Sequence, residues 1–193
     1  VVKGAYAHMP RYFADADQVM DLETRLVWCR VNLQGMTEAD AKRRPFGGPG
    51  VKSDIEALVA WITSESFGTK MAVSLDHPKM RENFELGKAI FYFRGGPHDF
   101  ACATCHGEDG KRIRLQDLPN LTKNPGDGVG FAAWPAYRVS SGEMWTFQWR
   151  LNACFRQQRF PELEFGSPAS IALTTFLAYN ANGAPFAAPA IKR

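Results

Sequence analysis

Five consecutive residues, Cys102-Ala103-Thr104-Cys105-His106, constrain this chain more than any other feature. Cys-x-x-Cys-His is the attachment motif of c-type haem. Two thiols on one turn can form thioethers to the two vinyl groups of a porphyrin, and the following histidine then lies beneath the iron as proximal ligand. A zinc half-site would want a second Cys/His pair at short spacing, and the chain has none. A redox dithiol should open a helix after a buried strand. Here, instead, residues 80–93 carry apolar side chains at helical spacing (Phe84, Ala89, Ile90, Phe91, Phe93), and Gly95-Gly96-Pro97 stops them. The motif predicts covalent haem c on Cys102 and Cys105, with His106 on the iron. Attachment of this kind takes place outside the cytoplasm, so the expected compartment is the periplasm of a bacterium.

Composition narrows the class further. A length of 193 residues allows one large domain or two small ones, with a core that needs no disulfides. No apolar run approaches the ~18 residues of a membrane helix, so no membrane span is expected. The first residues lack the charged, apolar and small-residue zones of a signal peptide, and any leader is expected to have been removed. A formal charge of +3, without a basic stripe, argues against a nucleic-acid partner.

An internal repeat organises the rest. Arg25-Leu26-Val27-Trp28-Cys29 and Arg150-Leu151-Asn152-Ala153-Cys154 share the pattern R-L-x-x-C. Each is followed by a loop and a capped apolar helix. Ser53-Asp54-Ile55-Glu56 reads as a capping box, and Ser167-Pro168 as an N-cap with a first-turn proline. Gly68 and Gly183 are placed where a helix C-cap prefers glycine. The first loop, residues 32–52, is the longer, where insertion is cheap. The fold expected is mainly α: two tandem cytochrome c-like domains related by duplication, 1–75 and 76–193, with a boundary in 69–78. The counterpart of Cys102 in the first domain falls before Val1, so that domain is expected to be truncated at its N-terminus.

Two residues compete for the far side of the iron. Met144 is the only methionine after the motif and would suit an electron-carrying cytochrome. Cys154 is the other. On a helix, Arg150 would lie one turn from it on the same face, favouring the thiolate and able to hold an oxyanion. Cys154 as a buried structural thiol, or paired with Cys29 in a disulfide, are the plainer alternatives.

The order C-x-x-C-H-G, a glycine-rich loop, then Arg-Leu-x-x-Cys-x-Arg-Gln resembles SoxA, the catalytic cytochrome subunit of thiosulfate-oxidising systems, over essentially the whole chain. The resemblance implies two cytochrome c-like domains, with Cys102, Cys105 and His106 binding the C-terminal haem. It implies Cys154 as distal iron ligand and active-site residue, occurring as a persulfide, and Arg150 as part of the same site. It implies that Cys29 is axial to an N-terminal haem in members that carry two. Tyr179-Asn180, where a further active-site cation would be sought, carries no basic residue.

The activity implied is that of an L-cysteine S-thiosulfotransferase. Thiosulfate is joined to a cysteine on a SoxYZ carrier protein, and two electrons pass through haem to a SoxX-type cytochrome. Residues 107–160 carry eight basic residues (Lys111, Arg112, Arg114, Lys123, Arg138, Arg150, Arg156, Arg159) against five acids (Glu108, Asp109, Asp117, Asp127, Glu143), a modest excess that would draw an anion. The competing readings are a plain electron-transfer cytochrome with Met144 on iron, a thiosulfate dehydrogenase making tetrathionate, and a structural haem domain that only docks a partner.

Overall fold

The longer helices begin where the sequence supplies a side-chain cap. In the computed structural model, which describes residues 2–43, 50, 52–113, 115–123 and 129–193, a 3-10 turn (Ala5–His8) leads into the hairpin β1 (Arg11–Phe13) and β2 (Gln18–Met20). Then come α1 (Leu22–Asn32), α2 (Glu38–Ala41), α3 (Asp54–Ser64), α4 (Pro78–Tyr92) and α5 (Cys102–His106). The remainder is β3 (Arg112–Ile113), β4 (Gln116–Asp117), α6 (Val129–Ala132), β5 (Ala136–Arg138), β6 (Glu143–Trp145), α7 (Phe147–Gln157), α8 (Pro168–Asn180) and β7 (Ala190–Lys192). Of the long first loop, residues 44–49 and 51 lie outside the described residues, as do Arg114 and Asp127.

The expected capping box closes on α3: the Ser53 hydroxyl accepts from the Glu56 N–H at 3.0 Å, and the Glu56 carboxylate from the Ser53 N–H at 2.9 Å. Ser167 caps α8, accepting from the Ser170 N–H at 3.3 Å. Asp21 caps α1 through the Thr24 N–H, and Thr146 caps α7 through that of Trp149. Both R-L-x-x-C segments are therefore helical, each Arg one turn before its Cys.

The glycines depart from expectation. α3 closes on Glu65 and α8 on Ala181, before Gly68 (φ 75°) and Gly183 (φ 89°) are reached. Each glycine redirects the chain after an extra turn, where only a residue without Cβ adopts such a φ cheaply. The redirected segments then bind one another. Gly68 N–H donates to Phe186 O (2.8 Å), Met71 N–H to Ala184 O (2.9 Å) and Gly183 N–H to Met71 O (2.9 Å). Residues of the expected boundary thus cross-link the two halves of the chain. One apolar cluster runs through both, from Tyr6, Ile55 and Val59 to Phe131, Phe176 and Phe186.

Three small sheets accompany the helices: β1-β2, β3-β4 and β6-β5-β7. A mainly helical expectation missed them because strands of two or three residues are too short to display a two-residue period. The third sheet matters most. β5 pairs antiparallel with β6 and parallel with β7, with Arg138 in register with Lys192. α4 packs along α8, with Phe84 and Phe91 against Phe176 at ring separations of 5.4 and 5.1 Å. That pair forms the floor on which the functional cavity rests.

Candidate active site

α4 ends at Tyr92, and a loop carries the chain to Ala101, whose N–H donates to the Thr104 hydroxyl at 2.9 Å and starts α5. This one-turn helix aligns Cys102, Cys105 and His106. His106 Nδ1 lies 2.9 Å from the carbonyl oxygen of Pro119. A carbonyl can only accept, so Nδ1 carries the proton and Nε2 keeps its lone pair for a metal. Leu121 N–H donates to the His106 carbonyl at 2.9 Å, clamping the ring between its own turn and the 118–121 segment. Burial lowers the His106 pKa, with Arg150 adding to that and the Pro119 bond opposing it. The imidazole is therefore held neutral, the form that binds iron.

The motif opens onto a cavity of about 400 Å³. Its apolar lining comes from Phe91 on α4, Phe147 and Leu151 on α7, and Leu173 and Leu177 on α8. Arg150 and Cys154, one turn apart on α7, line the same cavity, as do Arg138 and Lys192 from the third sheet. The expected pair is thus brought together with the motif. Burial is the largest influence and raises the Cys154 pKa, outweighing the pull of Arg150 and Arg138 toward the thiolate. Cys102 is pushed up to about 12, by burial first and then by the neighbouring Cys154. A thiol so enclosed loses little when it becomes a neutral thioether.

Other expected residues lie elsewhere. Met144 sits on β6 opposite Tyr137 and is not among the residues lining the cavity. The four cysteines are free thiols, and Cys29 on α1 stands apart from the cavity, close to Arg25. Arg25 forms a 2.6 Å ion pair with Asp15 and stacks on Phe13 and Trp28. Asn180 donates to the Leu121 carbonyl at 3.0 Å, and Tyr179 packs on Phe84. Much of the basic excess is neutralised locally: Lys111 pairs with Glu108, Arg112 with Asp117 and Lys123 with Asp109. Arg156 stacks on Trp149 at 4.8 Å. Of the eight cations in residues 107–160, Arg150 and Arg138 line the cavity, beside Lys192 and Arg193, and nothing in the sequence set Arg138 apart from the other seven. No local signal distinguishes Arg138; a three-residue strand brings it in.

The residues present fit haem c. Two thiols flank an apolar cavity beside a neutral imidazole whose Nδ1 proton is already engaged, and a third thiol lines it from α7. The model of the SoxA/TsdA cytochrome c domain matches residues 1–71 and 86–186. The chain belongs to this family. Over its full length, this family member is 53% identical to a protein of Hydrogenophilus thermoluteolus named L-cysteine S-thiosulfotransferase subunit SoxA, spanning 70% of that relative. A SoxA subunit of Hydrogenobacter thermophilus is 38% identical, with 69% of its length spanned. SoxXA from P. pantotrophus, a solved structure, shares the fold at a TM-score of 0.82 and 24% identity, over 100% of this chain and 66% of that one. Within the family fold, a cytochrome c domain implies haem c, and among the described residues no helix is long and apolar enough to cross a membrane.

Proposed function

We propose that this chain is a SoxA-type L-cysteine S-thiosulfotransferase, acting in the periplasm with a SoxX-type cytochrome and a SoxYZ carrier protein. The supporting observation is that a single cavity is lined both by the haem motif and by Cys154 with Arg150. Cys102, Cys105 and His106 would hold haem c, with Cys154 as a further iron ligand, and the haem would supply an electron sink.

The chain's own residues perform the sulfur chemistry. Arg150, with its guanidinium 5.9 Å from the Trp134 ring centroid, is free of carboxylate partners among the described residues and receives the sulfonate end of thiosulfate. The sulfane sulfur bonds to the Cys154 sulfur, which gives up its proton, and two electrons leave. The thiolate of a carrier cysteine then attacks the sulfane sulfur. Its bond to Cys154 breaks, the carrier departs as an S-sulfonated disulfide, and Cys154 regains a proton. Net, thiosulfate and a carrier thiol give the conjugate, one proton and two electrons. A standing persulfide on Cys154 would lengthen this chain by one sulfur and leave the balance unchanged.

The duplication belongs to the same reading. The halves 1–75 and 76–193 are two cytochrome c-like units, supported by the matched helices α1 with α3 and α7 with α8 and by the repeated Arg/Cys spacing. Cys29 is then the counterpart of Cys154 and would be an iron ligand where a first haem is attached.

The test is thiosulfate turnover by holoprotein with its cytochrome partner, with and without carrier. Carrier-dependent conjugation that Cys154→Ala abolishes, while intact mass shows haem still attached, supports the proposal. Fast tetrathionate formation from thiosulfate alone overturns it.

A further inference from the structure

Arg138 is the most unusual cation in the molecule. It ends β5, in parallel register with Lys192 on β7, so the two side chains share one face of the sheet, and both line the cavity. The intervening positions, Tyr137 and Ile191, point to the other face and are 41% and 76% exposed. The guanidinium lies 5.2 Å from the Trp145 ring centroid, and its Nη2 is 3.4 Å from the Ser140 hydroxyl. Nε is buried without a hydrogen-bond partner. No carboxylate among the described residues pairs with it, or with Arg150 or Lys192, whereas Asp117, the one acid lining the cavity, is held by Arg112 at 2.8 Å.

Arg138 and Arg150 share the cavity with Lys192 and Arg193, and cations gathered without a carboxylate partner among the described residues repel each other and cost stability unless an anion joins them. The two guanidiniums lie near enough to each other, and to Cys154, to perturb the common field; the proximity of Arg150 lowers the Arg138 pKa, after burial. A single planar fork matches two oxygens and one negative charge. Thiosulfate carries three sulfonate oxygens and a double charge, more than Arg150 alone can satisfy.

We infer that Arg138 is a second anion-binding residue of this cavity, joining Arg150 on the sulfonate oxygens and selecting dianions over monoanions. The identity of the substrate rests on the function proposed above; the anion selectivity does not. The experiment is titration of holoprotein with thiosulfate, sulfate and nitrate, reading binding by calorimetry rather than turnover. Arg138→Gln weakens thiosulfate and sulfate about tenfold, which is 1.4 kcal/mol, and changes nitrate by less than about threefold. Arg138→Lys, which keeps the charge but loses the fork, gives a smaller loss for the dianions and none for nitrate. Equal loss for all three anions, or no loss for the dianions in either variant, overturns the inference. If wild-type protein binds dianions in this manner yet forms no carrier conjugate, the functional proposal fails and the role of Arg138 stands. If conjugation proceeds and Arg138→Gln binds dianions like wild type, the role of Arg138 alone fails.

Discussion

Gly87 on α4 presses against the carbonyl oxygen of Ala172 on α8, where a Cβ would stand only 2.0 Å from that oxygen and 2.9 Å from Cβ of Phe176. The absence of a side chain here lets the two longest helices of the described residues approach closely, and their neighbours Phe91, Leu173 and Leu177 line the cavity. Gly87→Ala must push the backbones apart. The expected cost is about 1–3 kcal/mol, seen as a fall in Tm of roughly 2–4 °C per kcal/mol for a chain of this size. A Tm equal to wild type would mean that the helices slide freely, contrary to their packing.

A second prediction concerns pH. Glu23 on α1 is 1% exposed, and its Oε1 lacks a partner. Burial raises its pKa well above the ordinary carboxyl value, and the neighbouring Asp21 raises it further. A carboxyl with a raised folded pKa binds its proton more tightly in the native state, so stability is greatest at low pH and falls as pH rises from the unfolded value of about 4.3 toward the folded one. Glu23→Gln removes this dependence. Urea unfolding between pH 4.5 and 7 should show a steeper decline in wild type than in the variant, by at most about 1.4 kcal/mol per pH unit. Parallel profiles would show that Glu23 titrates normally.

Arg150 provides the third. On the proposed function it holds charge that develops at the sulfonate while the sulfur–sulfur bond forms. Arg150→Gln should lower kcat/KM for conjugation about 10²–10³-fold, the range found when one oxyanion donor is removed. Haem attachment should persist, since Cys102, Cys105 and His106 are untouched. Steady-state kinetics with the carrier protein, beside a pyridine haemochrome assay, checks both halves. Full activity in the variant would remove Arg150 from the site.

The haem motif, the capped helices and the Arg150/Cys154 pairing were legible because each depends on contacts within a few residues. Caps, helical faces and Cys-x-x-Cys-His are local chemistry. The enclosure of Cys154 was not legible: spacing puts a cation beside it, while the burial that raises its pKa comes from tertiary packing around α7. Arg138 was hidden for a related reason. It reaches the cavity through the register of β5 with β7, more than fifty residues later in sequence, and such short strands leave no period to read. The same holds for Gln148, which donates to Asp21 and accepts from the Gly166 N–H, joining the start of α1 to the approach to α8.

Met144 separates the catalytic reading from the plain electron carrier. It lies on β6 in register with Tyr137, and the residues that line the cavity do not include it. Met144→Leu should therefore leave the haem absorption bands and reduction potential where they are. Cys154→Met should shift both, because a thiolate donates more charge to iron than a thioether and holds the potential lower. Spectroelectrochemical titration of the two variants against wild type gives the answer: a potential that moves with Met144 and ignores Cys154 would place the thioether on the iron and leave the cavity thiol without its assigned work.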